Sequence, residues 1–266
     1  MVTTRHEMQE RRMEQKFLVS EDQAAVIAAR LRRHLVLDRH SAPRPDRSYD
    51  VHSVYLDSHA LESYWSTLHR KKNRFKLRVR FYDDDSSQPA FVEIKAKADG
   101  HTVKQRHPVP RHTLKGILST NDRAAINPFA GVEDFSALEE FMQKVKSLRA
   151  EPKLHVAYRR EAYVSRNDNS VRVTFDREVR SEPVNTLRIT TEMGTPRLLC
   201  QDHVVIEVKC SGATPFWLTR LIAQMELNSS RFTKYVFSIE QHGLNLRLSD
   251  GAMDHHSEPV AAFCRK

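Results

Sequence analysis

From Arg74 to Phe81 the chain alternates without a break. Arg74, Lys76, Arg78 and Arg80 hold one parity, and Phe75, Leu77, Val79 and Phe81 hold the other. Successive side chains of a strand point to opposite faces of its sheet, so this octet predicts a strand with one cationic and one apolar face. The pattern recurs. Glu93, Lys95 and Lys97 oppose Val92, Ile94 and Ala96; Arg172, Thr174 and Asp176 oppose Val171, Val173 and Phe175. Glu207 and Lys209 oppose Ile206 and Val208, and Arg12, Glu14 and Lys16 face away from Met13 and Phe17. One such strand describes an ordinary antiparallel sheet with a core on one side and water on the other. Five of them ask for more, because like charges opposed across a ladder destabilise it. A face dominated by Arg and Lys, with a few Glu, is tolerable when a polyanion and metal ions fill it.

Closing the sheet completes this reading. A barrel removes edges and alternates inward and outward residues along every strand. With the charged faces inward, the apolar faces need covering, and amphipathic helices predicted at 21–35, 58–70, 135–149 and 215–227 can cover them. The expected fold is α+β: a closed antiparallel barrel, or tunnel, with a charged lumen and a helical coat. Arg forks match phosphate oxygens and Lys supplies point charge. Parity therefore marks Lys16, Lys76, Arg78, Arg80, Lys95, Lys97, Arg172 and Lys209 as anion-binding candidates. Glu14, Glu93 and Glu207 are candidates to hold Mg²⁺ or Mn²⁺, hard cations that bridge carboxylates to phosphates. Each is equally placed to pair with the Lys two residues on, Lys16, Lys95 or Lys209.

Local signals punctuate the rest. Ser20 and Gln23 have capping-box spacing at the head of the first helix. Strands are expected at 49–57, 73–82, 90–97, 101–109, 154–165, 171–179 and 204–210, with a short candidate at 187–191. Asp99-Gly100 and Asn167-Asp168-Asn169 mark turns. A short helix and loop are expected within 111–133. Thr214-Pro215 opens a helix, and Ser230 a final one. No repeat or long linker divides the chain, so a single domain over 11–247 is expected, between a flexible lead at 1–10 and a disordered tail at 248–266.

The formal net charge of +9 favours anionic partners. Three cysteines without a CxxC pair suggest free thiols, and the polar first residues and short apolar runs predict a cytoplasmic protein without a membrane span. Seven glycines and no GxxxxGK[ST] exclude a P-loop, and neither HExxH nor GxSxG occurs. His255-His256 falls in the expected tail. Base stacking is disfavoured because Phe75, Phe81 and Phe175 lie opposite the basic face; a non-catalytic polyanion binder stays as the alternative to an enzyme.

Several stretches resemble the VTC domain, the polyphosphate polymerase branch of the triphosphate tunnel metalloenzymes (CYTH-like superfamily). They are RMEQKF from Arg12, SVYLD from Ser53, KLRVRFY from Lys76, EIK from Glu93, VKQR from Val103, YRREAY from Tyr158, VRVTFD from Val171, EVK from Glu207 and FTKY from Phe232. The resemblance implies a tunnel that binds the triphosphate of ATP with a divalent metal and transfers the γ-phosphoryl group to polyphosphate. It implies phosphate contacts from Lys16, Arg78, Arg80, Lys95, Lys104, Arg160, Arg172, Lys209 and Lys234, and a metal on Glu207. Of these, Arg78, Arg80, Arg160, Arg172 and Lys209 would act on the transferring group. Alternation alone does not choose between Arg159 and Arg160; the motif favours Arg160. The inositol-phosphate-sensing domain and membrane helices of the eukaryotic polymerases do not occur in these residues. Arg12 replaces the first Glu of the Glu-x-Glu-x-Lys strand typical of the hydrolase branch, which favours the polymerase branch over a hydrolase in the same tunnel.

Overall fold

The computed structural model describes residues 12–98, 101–119, 135–168 and 170–246. The expected lead, the Asp99-Gly100 turn and the tail lie outside them. Strands hydrogen-bond in the order β1 (Arg12–Val19), β10 (Val204–Ser211), β8 (Val171–Pro183), β7 (Glu151–Ser165), β3 (Tyr49–Asp57), β4 (Arg74–Phe81), β5 (Ala90–Ala98), β6 (His101–Val109), with two short strands at the side, β2 (Leu35–Leu37) on β7 and β9 (Arg197–Leu198) on β8. An α+β fold around a ten-stranded sheet is therefore observed, antiparallel wherever its register is described. The expected closure is not established: among the described residues no ladder joins β1 to β6.

The chain forms two compact units. The first spans 1–49, 160–177 and 202–232. It holds β1 (Arg12–Val19), α1 (Glu21–Leu31), β2 (Leu35–Leu37), β10 (Val204–Ser211) and α5 (Phe216–Gln224), with parts of β7 (Glu151–Ser165) and β8 (Val171–Pro183). Its apolar parity is buried as predicted: Phe17, Val173, Phe175, Ile206 and Val208 pack against Ala24, Ile27 and Leu31 of α1 and Leu218 and Leu221 of α5. Ser20 caps α1 with a full capping box, its Oγ accepting from the Gln23 N–H at 3.2 Å and Gln23 Oε1 from the Ser20 N–H at 3.1 Å. Ser20→Ala is expected to cost about 1 kcal/mol and to lower Tm by ~2–4 °C in a thermal melt.

The second unit spans 50–159, 178–201 and 233–266. It holds most of β3 (Tyr49–Asp57), then α2 (Glu62–Leu68), β4 (Arg74–Phe81), β5 (Ala90–Ala98), β6 (His101–Val109), a 3₁₀ turn (Arg111–Thr113), α3 (Leu114–Ser119), α4 (Ser136–Leu148), β9 (Arg197–Leu198) and α6 (Lys234–Gln241). Here Leu77, Val79, Phe81, Val92 and Ile94 bury against Leu138, Phe141 and Val145 of α4. The alternating octet has become one wall of this core.

Several expectations are corrected. The first helix ends at Leu31, not 35, because Leu35–Leu37 form β2 and pair with β7; β7 starts at Glu151, and β8 runs on to Pro183. The second helix begins at Glu62, not 58, because the buried Asp57 carboxylate gathers the N–H groups of Ser58, Ser63 and Tyr64 at 2.8–3.0 Å and Leu61 turns at φ 56°. The last begins at Lys234, not 230, because Ser230 spends its N–H on the Lys16 carbonyl (2.6 Å) and its hydroxyl on the Phe232 N–H (3.1 Å). The candidate at 187–191 is no strand; Leu187 and Ile189 pack on the core and Thr191 hydrogen-bonds Asp84. Cys200 and Cys210 are buried. No described helix is long and apolar enough to cross a membrane.

Candidate functional site

In the first unit, register builds two cross-strand rows on the charged face. Glu14 pairs with Lys209 and Lys209 with Arg172; Lys16 pairs with Glu207 and Glu207 with Thr174. Opposite charges face each other across β1 and β10 in both rows, and the side chains meet. Lys16 Nζ lies 3.5 Å from Glu14 and 3.8 Å from Glu207, while Lys209 Nζ reaches Glu207 at 3.1 Å. From β7, Arg160 forks onto the fully buried Asp176 at 2.6 and 2.8 Å and stands 4.0 Å from Glu207. Its neighbour Arg159 pairs instead with the exposed Glu178. Arg172 donates to Asp38 Oδ2 at 2.6 Å. Burial works against the Asp38 carboxylate, yet the Ser41 N–H and Arg172 outweigh it and hold the group below its ordinary range. The Thr174 hydroxyl, 1% exposed beside Glu207 in its row, has no hydrogen-bond partner among the described residues.

In the second unit, Lys76 pairs with Lys95 and Lys95 with Lys104, a row of three ammonium groups over three strands. Arg74 and Lys97 repeat the like-charge pairing one rung along. Next to the lysines, Arg78 pairs with Glu93 and Glu93 with Arg106. Glu93 is 1% exposed and holds four cations: Arg78 at 2.5 Å, Lys104 at 3.0 Å, Arg106 at 3.6 Å and Arg80 at 3.8 Å. Beyond them, Arg78 donates to the Tyr55 hydroxyl and Arg80 to Ser53 Oγ and the Tyr158 hydroxyl, each at 3.2 Å. Lys234 Nζ sits 4.5 Å above the Tyr158 ring. The electrostatic consequence is visible on its neighbours. Burial raises the Tyr55 phenol, but Arg78 and Arg80 pull it below its usual value. Burial and the two arginines, against the attraction of Glu93, bring the Lys104 ammonium down to about 7.

The residues expected from sequence thus fall into two clusters. Glu14, Lys16, Arg160, Arg172, Glu207 and Lys209 are in the first unit; Lys76, Arg78, Arg80, Glu93, Lys95, Lys97, Lys104 and Lys234 are in the second. Sequence reasoning did not single out Asp38, Asp176, Tyr55, Tyr158 or Arg106. Asp176 shares the parity of Arg172, a signal that was there to use.

A family model, the VTC domain, matches residues 11–242. The chain belongs to the VTC domain family. Among solved structures, this VTC domain is similar to a candidate adenylate cyclase from Bacillus halodurans, at 11% identity and TM-score 0.48 over 84% of this chain and 94% of that one. It is also similar to a candidate adenylyl cyclase with a dominant triphosphatase activity from Hippeastrum, at 13% identity and TM-score 0.45 over 87% and 96%. A third, from Pyrococcus horikoshii, has 11% identity and TM-score 0.42 over 86% and 99%. Likenesses this distant carry nothing about activity. No curated protein matches.

The carboxylates of this VTC domain differ in their fitness for a divalent cation. Glu93 faces four positive charges at 2.5–3.8 Å, so an added cation would be repelled; its geometry is that of an ion-pair hub for Lys104 and three arginines. Glu207 and Glu14 fit better: both lie on the charged face beside Lys16, and the orphaned Thr174 hydroxyl adds a hard oxygen. No group of three or more His, Cys, Asp or Glu able to hold a metal occurs among the described residues. That suits an ion bound by one or two carboxylates and completed by water and substrate phosphates, as Mg²⁺ commonly is.

Proposed function

We propose that this VTC domain binds the triphosphate of ATP, or polyphosphate, together with Mn²⁺ or Mg²⁺, and transfers the γ-phosphoryl group to the end of a polyphosphate chain. The observation that carries the reading is the row Lys76–Lys95–Lys104. Like charges opposed across a ladder disfavour it; Glu93 meets Lys104 at 3.0 Å, and a run of phosphates laid along the row would offset the repulsion further. Family membership supports the same ligand class.

In this reading Lys76, Lys95, Lys97, Lys104, Lys16 and Lys234 hold phosphate oxygens as point charges. Arg160, Arg172 and Lys209 in the first unit, and Arg78 and Arg80 in the second, are the groups in each cluster suited to a phosphoryl group in transfer, where planar forks also orient it. Glu207 and Glu14 would hold the metal, which when bound polarises phosphoryl oxygens and neutralises their charge. Glu93 keeps Arg78 and Arg106 in place. A terminal oxygen of the acceptor chain attacks Pγ, a P–O bond forms, the Pγ–O bond to the β-phosphate breaks, and its electron pair leaves on ADP. Such transfer asks the protein for alignment and charge stabilisation, with no covalent intermediate.

Incubation with ATP and Mn²⁺, followed by sizing of the products, tests the proposal. Chains that lengthen as ADP accumulates are expected. Free phosphate as the only product would replace transfer by hydrolysis, and tripolyphosphate binding without ATP consumption would leave a polyanion-binding module.

A further inference from the structure

The segment between β2 and β3 is a basic loop with an elaborate anchor. Asp38 and Ser41 are buried; Asp38 Oδ1 accepts from the Ser41 N–H at 2.8 Å and the His40 N–H at 3.1 Å, and Ser41 Oγ accepts from the Ala162 N–H at 3.1 Å. Successive turns fold the loop on itself: Ala42 N–H to the Asp38 carbonyl at 2.9 Å, Arg44 N–H to Ser41 at 3.2 Å, and Arg47 N–H to Arg44 at 3.0 Å. Pro43 and Pro45 fix their own φ, and Arg47 takes the left-handed conformation at φ 57°. This ordered scaffold displays three exposed arginines, Arg39, Arg44 and Arg47. Among the described residues no carboxylate pairs with any of them; the one side-chain hydrogen bond is Arg39 to His40. Exposed arginines on a floppy loop would mean little. Here buried polar groups fix the backbone that carries the three cations.

The loop is also rooted in the phosphate-binding cluster of its own unit, because the second oxygen of Asp38 is the partner of Arg172 at 2.6 Å. We infer that this loop is a docking track for polyphosphate longer than a triphosphate, in which Arg39, Arg44 and Arg47 bind phosphates that extend past Arg172. The inference rests on the functional reading above. It favours phosphate chains over nucleic acid because the loop carries no exposed Phe, Tyr or Trp for a base to stack on; Tyr49, at its end, is buried, and the ring of His40 lies tilted against it at 5.6 Å.

The test compares the parent with the triple variant Arg39→Ala, Arg44→Ala, Arg47→Ala by calorimetry, titrating tripolyphosphate, long-chain polyphosphate and a single-stranded oligonucleotide. The expected result is tripolyphosphate affinity unchanged within about twofold and long-chain affinity lower by roughly tenfold. The slope of log K against log salt for long chains should shrink by about 2, since each lost cationic contact removes ~0.7. The corresponding triple Lys variant, which keeps the charge, should retain long-chain affinity. Equal long-chain affinity in the parent and the Ala variant would overturn the track alone. An oligonucleotide that binds the parent as tightly as long polyphosphate, and is lost in parallel, would replace it by a nucleic-acid surface. Failure of the parent to bind tripolyphosphate would overturn the functional reading and this inference together.

Discussion

Glu93→Ala is expected to destabilise the protein by about 3–5 kcal/mol, the usual cost of removing one member of a buried ion pair, and to lower Tm by roughly 10 °C. The carboxylate is 1% exposed and is the shared partner of Arg78, Arg80, Lys104 and Arg106. Without it, the largely buried Arg78 and Arg80 confront each other and the more exposed Lys104 and Arg106 with no carboxylate between them. Glu93→Gln should be nearly as harmful, because it keeps the shape and one acceptor but not the charge. Tripolyphosphate should stabilise the Ala variant by more degrees than it stabilises the parent, since the ligand supplies the missing negative charge. The pH dependence has a definite sign. Burial raises the Glu93 carboxyl, but Arg78, Arg80 and Lys104 lower it further, so its folded pKa lies far below the ordinary 4.5. The unfolded chain therefore takes up the proton first. The stabilisation is complete above about pH 4.5 and is lost as pH falls towards the folded value. Melts of parent and variant should accordingly differ by a constant amount near neutrality and converge in acid. A variant that melts with the parent at pH 7 would show that the arginines do not depend on this carboxylate.

Alternation is a local property, which is why the face of Arg78 and Arg80 could be read from residues 74–81 alone. The same holds for the apolar parity that α4 covers and for the capping box at Ser20. Register is not local. Tyr55 and Ser53 carry no cationic signature, and they reach Arg78 and Arg80 because β3 pairs with β4 in one register among several that the loop between them would permit. The lysine row is a register fact too: Lys76, Lys95 and Lys104 each look like ordinary strand residues until the ladders place them opposite one another. Helix starts were misread where a side chain outside the helix took over its N–H groups, as Asp57 does for α2. The three-residue strand β2 is hidden behind helix formers, because its pairing with residues 163–165 outweighs local propensity. Metal candidacy failed to resolve for a related reason. Glu14, Glu93 and Glu207 are equivalent in sequence, each two residues before a lysine. What separates Glu93 from Glu207 is burial and grip: Glu93 is 1% exposed with Arg78 at 2.5 Å, whereas the cations around Glu207 stand at 3.1–4.0 Å.

Glu207→Gln is expected to reduce ATP turnover by roughly 10²–10³-fold, the scale on which loss of one preorganised electrostatic group at a reacting centre is felt, with Tm little changed. Glu207 has Lys209 at 3.1 Å, Lys16 at 3.8 Å and Arg160 at 4.0 Å, all longer than the 2.5 Å grip of Arg78 on Glu93. Arg160 keeps its bidentate partner Asp176 whatever happens at Glu207. The local ion pairs are loose enough for the amide to replace the carboxylate without stranding a buried charge. Two roles for Glu207 then predict opposite signs. As a metal ligand, its loss should weaken the apparent affinity for Mn²⁺, and raising Mn²⁺ should recover part of the turnover. As a mere counter-ion to Lys16 and Lys209, its loss should remove one negative charge from beside two ammonium groups, of which Lys16 keeps Glu14 at 3.5 Å, tighten tripolyphosphate binding and leave the Mn²⁺ dependence where it was. Titrating Mn²⁺ and tripolyphosphate against both proteins separates these outcomes, and an unchanged Mn²⁺ midpoint with tighter anion binding would remove Glu207 from the metal site.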